Sequence, residues 1–420
     1  MNSFQHYSEF LRFVEALQKE YPQVGTGSFQ RFTLTIVLRQ LGLACLVGGE
    51  GSELAAPPSE ILSSLDKALR GAPSKRQHLC PLNLAADLPA LSFGPNQVRT
   101  FSPRELDELF DINGLRRAHP SWSVDSRRFS EFTWLIVEED VVHKTTAPGQ
   151  RRLPSLFGNH DRDFGQIEPY HTGLPAPVED ALFGLLTIPW EKIVQYDDMD
   201  WRGFQIPWVY TIDSDVFARR VPVPSPDSLA WEPASNYDAS GNEYEYERPI
   251  AYPLEMGSDE VISLVNDTTW NDILTARQTS LFGRPIAHFF VRGFQASGID
   301  EFLAHISTIE AALGQPEDHV RGSRKKINGK DLGATQRVVR RISGLLNDQS
   351  LGQIYLKLFG LRSDFLHGKR MANISGVDRS SARALARKTV CALIGLAASE
   401  PLVNRETLLD ALLDRGEQLK

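Results

Sequence analysis

Proline is distributed very unevenly along this chain of 420 residues. Of the 25 prolines, 23 lie before residue 300 and two lie after it. Because proline is poorly tolerated inside helices, the region after residue 300 can be helical almost throughout, whereas the region before it cannot. All seven tryptophans lie before residue 271, so the two regions also differ in the aromatic side chains available for a core.

The N-terminal region mixes helical and strand patterns. Phe4–Tyr21 has the spacing of an amphipathic helix, Arg31–Val47 fits either a strand or a buried helix, and Ser102–Glu105 has the sequence of a helix start. Strands bounded by turn residues are predicted over Phe132–Val142, Ile193–Tyr196, Phe204–Ile212 and Val216–Val223. We therefore expect a mixed α+β domain with an antiparallel sheet.

The C-terminal region follows a helical period from Ser258 onward. Helices are predicted near residues 259–278, 284–297, 299–313, 333–347, 350–371, 379–398 and 403–415. The preceding stretch Val221–Gly241 is rich in Pro, Ser, Asp and Gly, which is typical of a loop or linker. The expected fold is an α+β N-terminal domain over 1–235, a linker over 236–257 and an all-α helical bundle over 258–420.

Charge changes at the same boundary. The net charge is −8, but residues 300–420 hold 19 of the 45 Lys and Arg and only 14 of the 53 Asp and Glu. An acidic chain is a poor nonspecific ligand for nucleic acid, whereas its basic C-terminal part is suited to a phosphate-binding face.

The cysteines and the apolar segments indicate the compartment. The first residues lack a basic segment followed by an apolar one, so no secretory signal is predicted. The longest apolar run, about Cys391–Ala398, is far shorter than a membrane span. Cys45, Cys80 and Cys391 are widely spaced without a CxxC pair, which suits a reducing compartment and predicts no zinc site. We expect a cytoplasmic protein with no membrane partner and no cofactor.

One segment, Leu361–Lys369, places an arginine and a histidine five positions apart in a helical pattern. The imidazole of His367 can transfer protons near neutral pH, and the guanidinium of Arg362 can hold a phosphate. Together they suit cleavage of RNA, whose 2′-hydroxyl is its own nucleophile, without a metal. Five positions on an ideal helix rotate by about 140°, so a symmetric helix pair aims both groups at one cleft more readily than one helix does. The alternative is a helix-end histidine bonded to a carbonyl and an arginine paired with Asp364.

The segment Tyr355–Lys369 resembles the motif helix of HEPN domains of the Apea-like branch, in which Arg-x4–6-His is followed by Gly at a helix end. The run Phe302–Leu313 is similar to the earlier helix of that branch with its glutamate, here Glu310. Ser380–Ala398 falls where the family has another helix. The resemblance covers about residues 259–400 and nothing before them.

This resemblance implies a helical bundle that forms a homodimer and builds a composite, metal-independent endoribonuclease site leaving a 2′,3′-cyclic phosphate. Carried over to this chain, Arg362 stabilises the transition-state phosphate and His367 transfers protons. The supporting residues are Ser363, Asp364, Glu310 and Lys369. The family often has Asn or Asp directly after the arginine, where this chain has Ser363. The resemblance also implies an effector of bacterial anti-phage or abortive-infection defence, with a phage-derived trigger acting on the N-terminal domain.

A basic stretch over residues 321–341 contains eight cations and one acid, Asp331. These cations are predicted to follow an RNA backbone and to make binding salt-dependent. They are Arg321, Arg324, Lys325, Lys326, Lys330, Arg337, Arg340 and Arg341. No aromatic residues lie between them, so base stacking is not predicted. The alternative is a solvated loop and helix face.

Three weaker features lie in the N-terminal region. Gly158–Asp161 matches one block of the metallophosphoesterase pattern, but the upstream blocks of a two-metal site are missing, which favours a polar turn. The acids at 197–215 and 243–247 fit no calcium loop and are interpreted as solvated turns. Four tryptophans belong either to the sheet core or to a ligand groove: Trp190, Trp201, Trp208 and Trp231.

The leading hypothesis is therefore a metal-independent endoribonuclease whose partners are RNA and a second copy of the chain. The first alternative is a noncatalytic HEPN-like module that dimerises or binds RNA or another partner. The second alternative is a metal-dependent phosphoesterase in the N-terminal domain, around His160.

Overall fold

A computed structural model of the protein describes residues 8–24, 28–42, 54, 56–85, 88–119, 121–146, 149–151, 174–190, 202–218, 220–252, 257–320, 326–329, 331–368 and 374–419. The helices, in chain order, are α1 Ser8–Glu20, α2 Ser28–Gln40, α3 Pro58–Leu69, α4 Pro103–Leu109, α5 Ile112–Ala118, α6 Ser126–Phe129, α7 Ala176–Leu186, α8 Ser258–Leu264, α9 Asp267–Arg277, α10 Arg284–Gln295, α11 Gly298–Leu313, α12 Ala334–Leu346, α13 Gln349–Leu366, α14 Gly376–Ser399 and α15 Arg405–Gln418. The strands are β1 Ser74–Leu82, β2 Leu84–Ala85, β3 Leu91–Phe93, β4 Asn96–Arg99, β5 Thr133–Val141, β6 Thr145–Thr146, β7 Gln150–Arg151, β8 Tyr210–Asp213, β9 Trp231–Tyr237, β10 Glu243–Pro249 and β11 Ala251–Tyr252. Within these ranges, none of the helices has the length and apolarity needed to span a membrane.

The chain divides into two compact units, and neither is continuous in sequence. Unit 1 comprises Met1–Asn83, Arg99–Gly165 and Pro207–Ile250, and unit 2 comprises Leu84–Val98, Gln166–Ile206 and Ala251–Lys420. This differs from the predicted division into 1–235, a linker and 258–420, because two early segments pack with the helices of unit 2. The indole of Trp270, for example, meets the Phe93 ring edge-on at a centroid distance of 5.5 Å.

Unit 1 contains strands β5, β1 and β8 of an antiparallel sheet, in that spatial order. β1 pairs with β5 on one side and with β8 on the other, so Leu79 stands opposite Ile136 and Tyr210. Side chains alternate along a strand, and this face of the sheet packs into an aromatic core around Trp134, whose indole N–H donates to the Phe129 carbonyl over 3.1 Å. The predicted α+β character of the N-terminal region and its antiparallel sheet are confirmed.

Several local predictions for unit 1 are also confirmed. Ser102 and Glu105 form a reciprocal capping box at the start of α4. The ambiguous segment Arg31–Val47 is helical through Gln40, and its remainder after residue 42 lies outside the described residues. Phe132–Val142 contains β5.

Other strand predictions are wrong. The segment 204–212 is strand only from Tyr210. The described residues of 216–223, which are 216–218 and 220–223, form no strand, because the Asp215 carboxylate accepts the Phe217 N–H over 3.1 Å and turns the chain there. The stretch 221–241, predicted as a loop, contains strand β9. β9 pairs with β10, which lies inside the predicted linker 236–257. Ile193–Tyr196 lies outside the described residues.

Unit 2 contains helices α8 to α15, so the all-helical character of the C-terminal region is confirmed. The single helix predicted near 259–278 is wrong: it is two helices, because the chain leaves the helical conformation at Val265 and Asn266 caps α9. α12 and α15 approach closely, because a Cβ atom at Gly344 or Gly416 would overlap a backbone carbonyl of the other helix. α13 packs on α12 at Gly352, where a Cβ atom would overlap the Val339 carbonyl. These contacts leave the C-terminal end of α13 as the more exposed part of that helix.

Candidate functional site at the end of helix α13

The last turn of α13 fixes the position of the Arg–His segment. Tyr355 and Leu358 are buried and anchor the helix in the unit. At its end, the His367 N–H donates to the Ser363 carbonyl and the Gly368 N–H donates to the Phe365 carbonyl, each over 3.0 Å. Gly368 has a φ of +66°, a left-handed conformation that favours glycine and terminates the helix. The motif glycine therefore leaves His367 as the cap residue of α13.

Arg362 lies one turn before this end and its side chain is 28% exposed. Its Nη2 lies 3.6 Å from Oε2 of Glu310 on α11. The guanidinium carbon lies 5.5 Å from the centroid of the Phe359 ring, within the range of a cation–π contact. The arginine is thus oriented by a carboxylate and an aromatic ring while part of it faces solvent. Among the described residues, it makes no ion pair with Asp364.

Glu310 occupies a partly buried position that disfavours its charge. Burial raises the pKa of Glu310, while the charges of Arg362 and His319 act in the opposite direction. Burial also raises the pKa of the Tyr355 phenol, and the Glu310 carboxylate adds to that shift. A carboxyl group whose pKa is raised by burial, beside a partly exposed guanidinium, is an arrangement that is frequent at functional sites.

His367 is exposed, and no hydrogen bond of its ring to another described residue is found. Ser363 and Asp364 lie partly buried on the same turn, so both are close to Arg362 and His367 along the helix. Lys369, the last predicted supporting residue, lies outside the described residues. The structure therefore brings Glu310 to Arg362 and leaves the imidazole available to a ligand.

His319 is a residue that the sequence analysis did not single out. It is exposed and ends a short 3-10 helix over Pro316–His319. Its charge affects the titration of Glu310, so it belongs to the same electrostatic environment as Arg362. The sequence offers no helical spacing that would connect His319 with Arg362, because the two lie on different elements.

One exposed apolar side chain lies at the end of α13 and another at the start of α14. Leu366, directly before His367, is 53% exposed. Val377, in the first turn of α14, is 71% exposed. The start of α14 lies beside the middle of α13, because Lys357 and Asp378 form an ion pair of 2.7 Å. Leu366 is therefore the exposed apolar side chain that directly adjoins the Arg–His segment.

The predicted RNA-binding stretch has a different environment. Arg337, Arg340 and Arg341 are buried in α12. The Arg341 guanidinium is paired with Asp318 and donates to the Leu313 carbonyl over 2.8 Å. These three guanidiniums are therefore not presented at the surface of α12, where a contact with an RNA backbone would need them.

Of the other five cations predicted to bind RNA, the structure describes one. Lys326 is exposed. The other four cations lie outside the described residues: Arg321, Arg324, Lys325 and Lys330.

A second buried ionic cluster surrounds Glu301 at the start of α11. Its carboxylate is paired with Arg383 of α14, lies 3.2 Å from Nη2 of Arg202 and lies 3.7 Å from Nη1 of Arg379. Glu301 is fully buried. The cluster therefore joins helices inside unit 2 and offers no open surface at the carboxylate.

The weaker N-terminal features find mainly structural roles. Asp213 pairs with Arg76 over 2.9 Å, and Asp215 pairs with Arg151 over 2.8 Å. Trp190 is buried, and the indole N–H groups of Trp208 and Trp231 donate to Ser228 Oγ and to the Pro226 carbonyl. Gly158–Asp161, Asp197, Asp198, Asp200 and Trp201 lie outside the described residues. Within the described residues, no group of three or more His, Cys, Asp or Glu side chains is placed to hold a metal ion.

Comparisons of the chain with models of protein families, with curated proteins and with solved structures found no match. The functional interpretation therefore depends on the geometry at the end of α13 together with the HEPN resemblance of the sequence.

Proposed function

We propose that the protein is a metal-independent endoribonuclease of HEPN type that acts as a homodimer through the end of α13. The observation that carries the proposal is the contact of Arg362 with Glu310 beside an exposed His367. A purely structural arginine and histidine at a helix end would more often be paired with local groups such as Asp364 or a carbonyl. Here the arginine is oriented from another helix, and the imidazole stays accessible.

The chemistry requires one group that stabilises charge and groups that transfer protons. The 2′-hydroxyl of RNA attacks the adjacent phosphorus, the bond to the 5′-oxygen breaks, and a 2′,3′-cyclic phosphate forms. A general base takes the proton of the 2′-hydroxyl and a general acid protonates the leaving 5′-oxygen. Arg362 stabilises the added negative charge on the phosphate oxygens. His367 of each copy supplies one of the two proton-transfer groups.

The proposed dimer is supported by this requirement and by the exposed Leu366 at the end of α13. One copy contributes a single His367, whereas two copies related by a twofold axis contribute two. Leu366 is exposed directly before that histidine, and its burial against a second copy would bring both imidazoles together. In the cell, such an activity fits an effector of bacterial anti-phage or abortive-infection defence that is restrained until a trigger reaches unit 1.

The direct test is cleavage of labelled RNA by the purified full chain in the presence of EDTA. We expect Arg362→Ala and His367→Ala each to lower the rate by about a hundredfold or more, with 2′,3′-cyclic phosphate ends on the wild-type products. Arg415→Ala, at an exposed arginine of α15, is the matched control and is expected to leave the rate unchanged. Cleavage that survives both motif substitutions would exclude the proposed site.

His319 provides an informative second comparison. If a single chain supplied both proton-transfer groups, His319→Ala would lower the rate as strongly as His367→Ala does. The proposal expects a smaller effect, because His319 acts on Glu310 only through its charge. A rate that depends on His319 and not on His367 would contradict the dimeric arrangement.

The dimer is tested separately by analytical ultracentrifugation. We expect Leu366→Asp to shift the chain toward monomer and to lower cleavage in parallel, because it places a charge in the proposed interface. Leu402→Asp is the control, since Leu402 is 98% exposed in the loop before α15. Full cleavage by a monomeric Leu366→Asp variant would show that one copy is sufficient.

A noncatalytic binding module is the second candidate. The burial of Arg337, Arg340 and Arg341 favours the form of this module that dimerises or binds a partner other than RNA, because it removes three predicted contacts to the RNA backbone. This candidate expects no cleavage under any condition, and RNA or partner binding that is unchanged by His367→Ala.

A further inference from the structure

A cavity of about 810 Å³ opens at the surface of unit 1. It is lined by residues 121–129 and 223–227 together with side chains of α4 and α5, and is called the α6 cavity below. Its volume lies in the range of small-molecule sites. It belongs to a single unit, and the ribonuclease proposal makes no use of it.

One aromatic ring is presented to the α6 cavity. Trp122 is 40% exposed, and its backbone N–H donates to the His119 carbonyl over 3.0 Å, which holds the residue at the rim. The other aromatic residue of the lining, Phe129, is buried and packs on Trp134. The cavity therefore offers one indole face, which suits stacking of one planar ring.

Two guanidiniums of the lining are available to a ligand. Arg128 is already held, because it pairs with Asp227 and Glu247 and stacks on Trp231 at 4.2 Å. Arg116 and Arg127 are exposed, and within the described residues their side chains make no ion pair or hydrogen bond. Guanidinium groups bind phosphate with several fixed donors.

The cavity also presents hydrogen-bond acceptors. Asp107 accepts a hydrogen bond from Ser126 Oγ over 2.5 Å, and Asp125 accepts the Arg128 N–H over 3.1 Å. Each carboxylate can accept further hydrogen bonds from a ligand. The lining contains three carboxylates and three guanidiniums. Because the carboxylates would repel a small inorganic anion, such an anion does not fit the whole lining. A ligand with hydroxyl or amino donors at one end and negative charge at the other matches both sets.

We propose that the α6 cavity binds a nucleotide. The base stacks on Trp122, the phosphates contact Arg116 and Arg127, and the ribose hydroxyls or the base amino group donate to Asp107 or Asp125. A mononucleotide is favoured over a nucleic-acid strand, because the lining presents a single exposed ring and therefore stacks a single base. The inference is independent of catalysis at α13.

The test is isothermal titration calorimetry on the full chain with ATP, GTP, CTP and UTP, and with the nucleosides and tripolyphosphate as partial ligands. We expect at least one nucleoside triphosphate to bind at one site about tenfold more tightly than its nucleoside and than tripolyphosphate. Trp122→Ala should weaken nucleotide and nucleoside by about tenfold. The double variant Arg116→Gln/Arg127→Gln should weaken nucleotide and tripolyphosphate and leave the nucleoside unchanged.

Two matched controls lie outside the lining in the same unit. Arg104→Gln changes an exposed arginine of α4, and Tyr237→Ala removes an exposed ring of β9. Both should bind as wild type does, within about twofold, and thermal unfolding of every variant checks that the unit is folded. Three results would overturn the proposal: no nucleotide binding, tripolyphosphate binding that equals nucleotide binding and is unaffected by Trp122→Ala, or binding of a twelve-nucleotide RNA through these residues without mononucleotide binding.

Discussion

The arginines of α12 and the arginine of α13 lie on neighbouring helices of one unit, yet their surroundings are opposite. Arg341 is fully buried and its guanidinium is surrounded by Asp318, Gln315 and backbone carbonyls. Arg362 is partly exposed and meets one carboxylate, Glu310, at 3.6 Å. The number of basic residues in the sequence does not distinguish Arg341 from Arg362. The difference between them separates a cation that holds the fold together from a cation that can meet a ligand.

The buried arginines satisfy helix ends. The carbonyls at the end of a helix lack partners within the helix, and Arg341 binds the Leu313 carbonyl at the end of α11. Arg405 does the same from α15, donating to the carbonyls of Ala311, Ala312 and Gly314 over 2.8 to 3.2 Å. Burial lowers the pKa of Arg405, as expected for a cation taken from water. These arginines therefore tie α11 to the helices that follow it.

The largest effect is expected for Arg341→Ala. This change removes the closer of the two cations at the buried Asp318, since Arg337 Nε lies 3.9 Å away, and leaves the Leu313 carbonyl without its donor. We therefore expect a loss of about 3–5 kcal/mol of unfolding free energy. Denaturant unfolding of the full chain measures it. Arg415→Ala, at an exposed arginine on α15, should cost less than about 0.5 kcal/mol. If both variants unfolded at the same denaturant concentration, the distinction between buried and exposed arginines would fail.

Arg340→Ala should have an intermediate effect. Its Nε donates to Glu417 over 2.8 Å in a largely buried pair between α12 and α15. A hydrogen bond to a charged group contributes about 1.5–3 kcal/mol, and that is the expected loss. A double-mutant cycle with Glu417→Ala isolates the pair. A coupling energy near zero would mean that the contact does not stabilise the α12–α15 packing.

The helical half of the fold is predictable from the sequence because its helices have an apolar period and some of them have capping side chains. Asp348, for example, caps α13 by accepting the Ser350 N–H, and Ser375 caps α14. The discontinuous division into units is not predictable in this way. It depends on contacts such as Trp270 with Phe93, which join residues far apart in sequence and leave no periodic signal.

The candidate site is predictable only in part. The spacing of Arg362 and His367 indicated phosphate chemistry, and the resemblance added Glu310. Two things escaped the sequence: the burial of the α12 arginines and the presence of His319. An arginine that caps a neighbouring helix and an arginine that contacts phosphate have the same local sequence requirements, so only the packing of α12 against α11 and α15 distinguishes them.

Arg362→Ala should cost little stability, in contrast to Arg341→Ala. A partly exposed ion pair contributes less than about 1 kcal/mol, and the 3.6 Å separation from Glu310 places it at the weak end. Denaturant unfolding and the cleavage assay, measured on the same variant, distinguish a catalytic from a structural role of Arg362. We expect the cleavage activity to be lost while the unfolding free energy stays close to that of wild type. A loss comparable to that of Arg341→Ala would make Arg362 a structural residue.

Glu310→Gln should show the smallest effect, visible mainly as a change in pH dependence. Because burial raises the pKa of Glu310 above 4.5, the folded chain holds this proton to higher pH than the unfolded chain does. Stability from this group is present below the unfolded pKa and is lost as pH rises through the folded pKa. Arg362 and His319 oppose the shift by favouring the carboxylate, so the loss is limited.

The glutamine variant lacks this titration and should therefore gain stability relative to wild type as pH rises from about 4 to about 7. Thermal unfolding at several pH values measures the difference, with Glu406→Gln on the surface of α15 as the control. If the difference in stability between Glu310→Gln and wild type stays constant over this pH range, the pKa of Glu310 is not raised by burial. The candidate site would then lose the electrostatic feature that sets Arg362 apart from the buried arginines of α12.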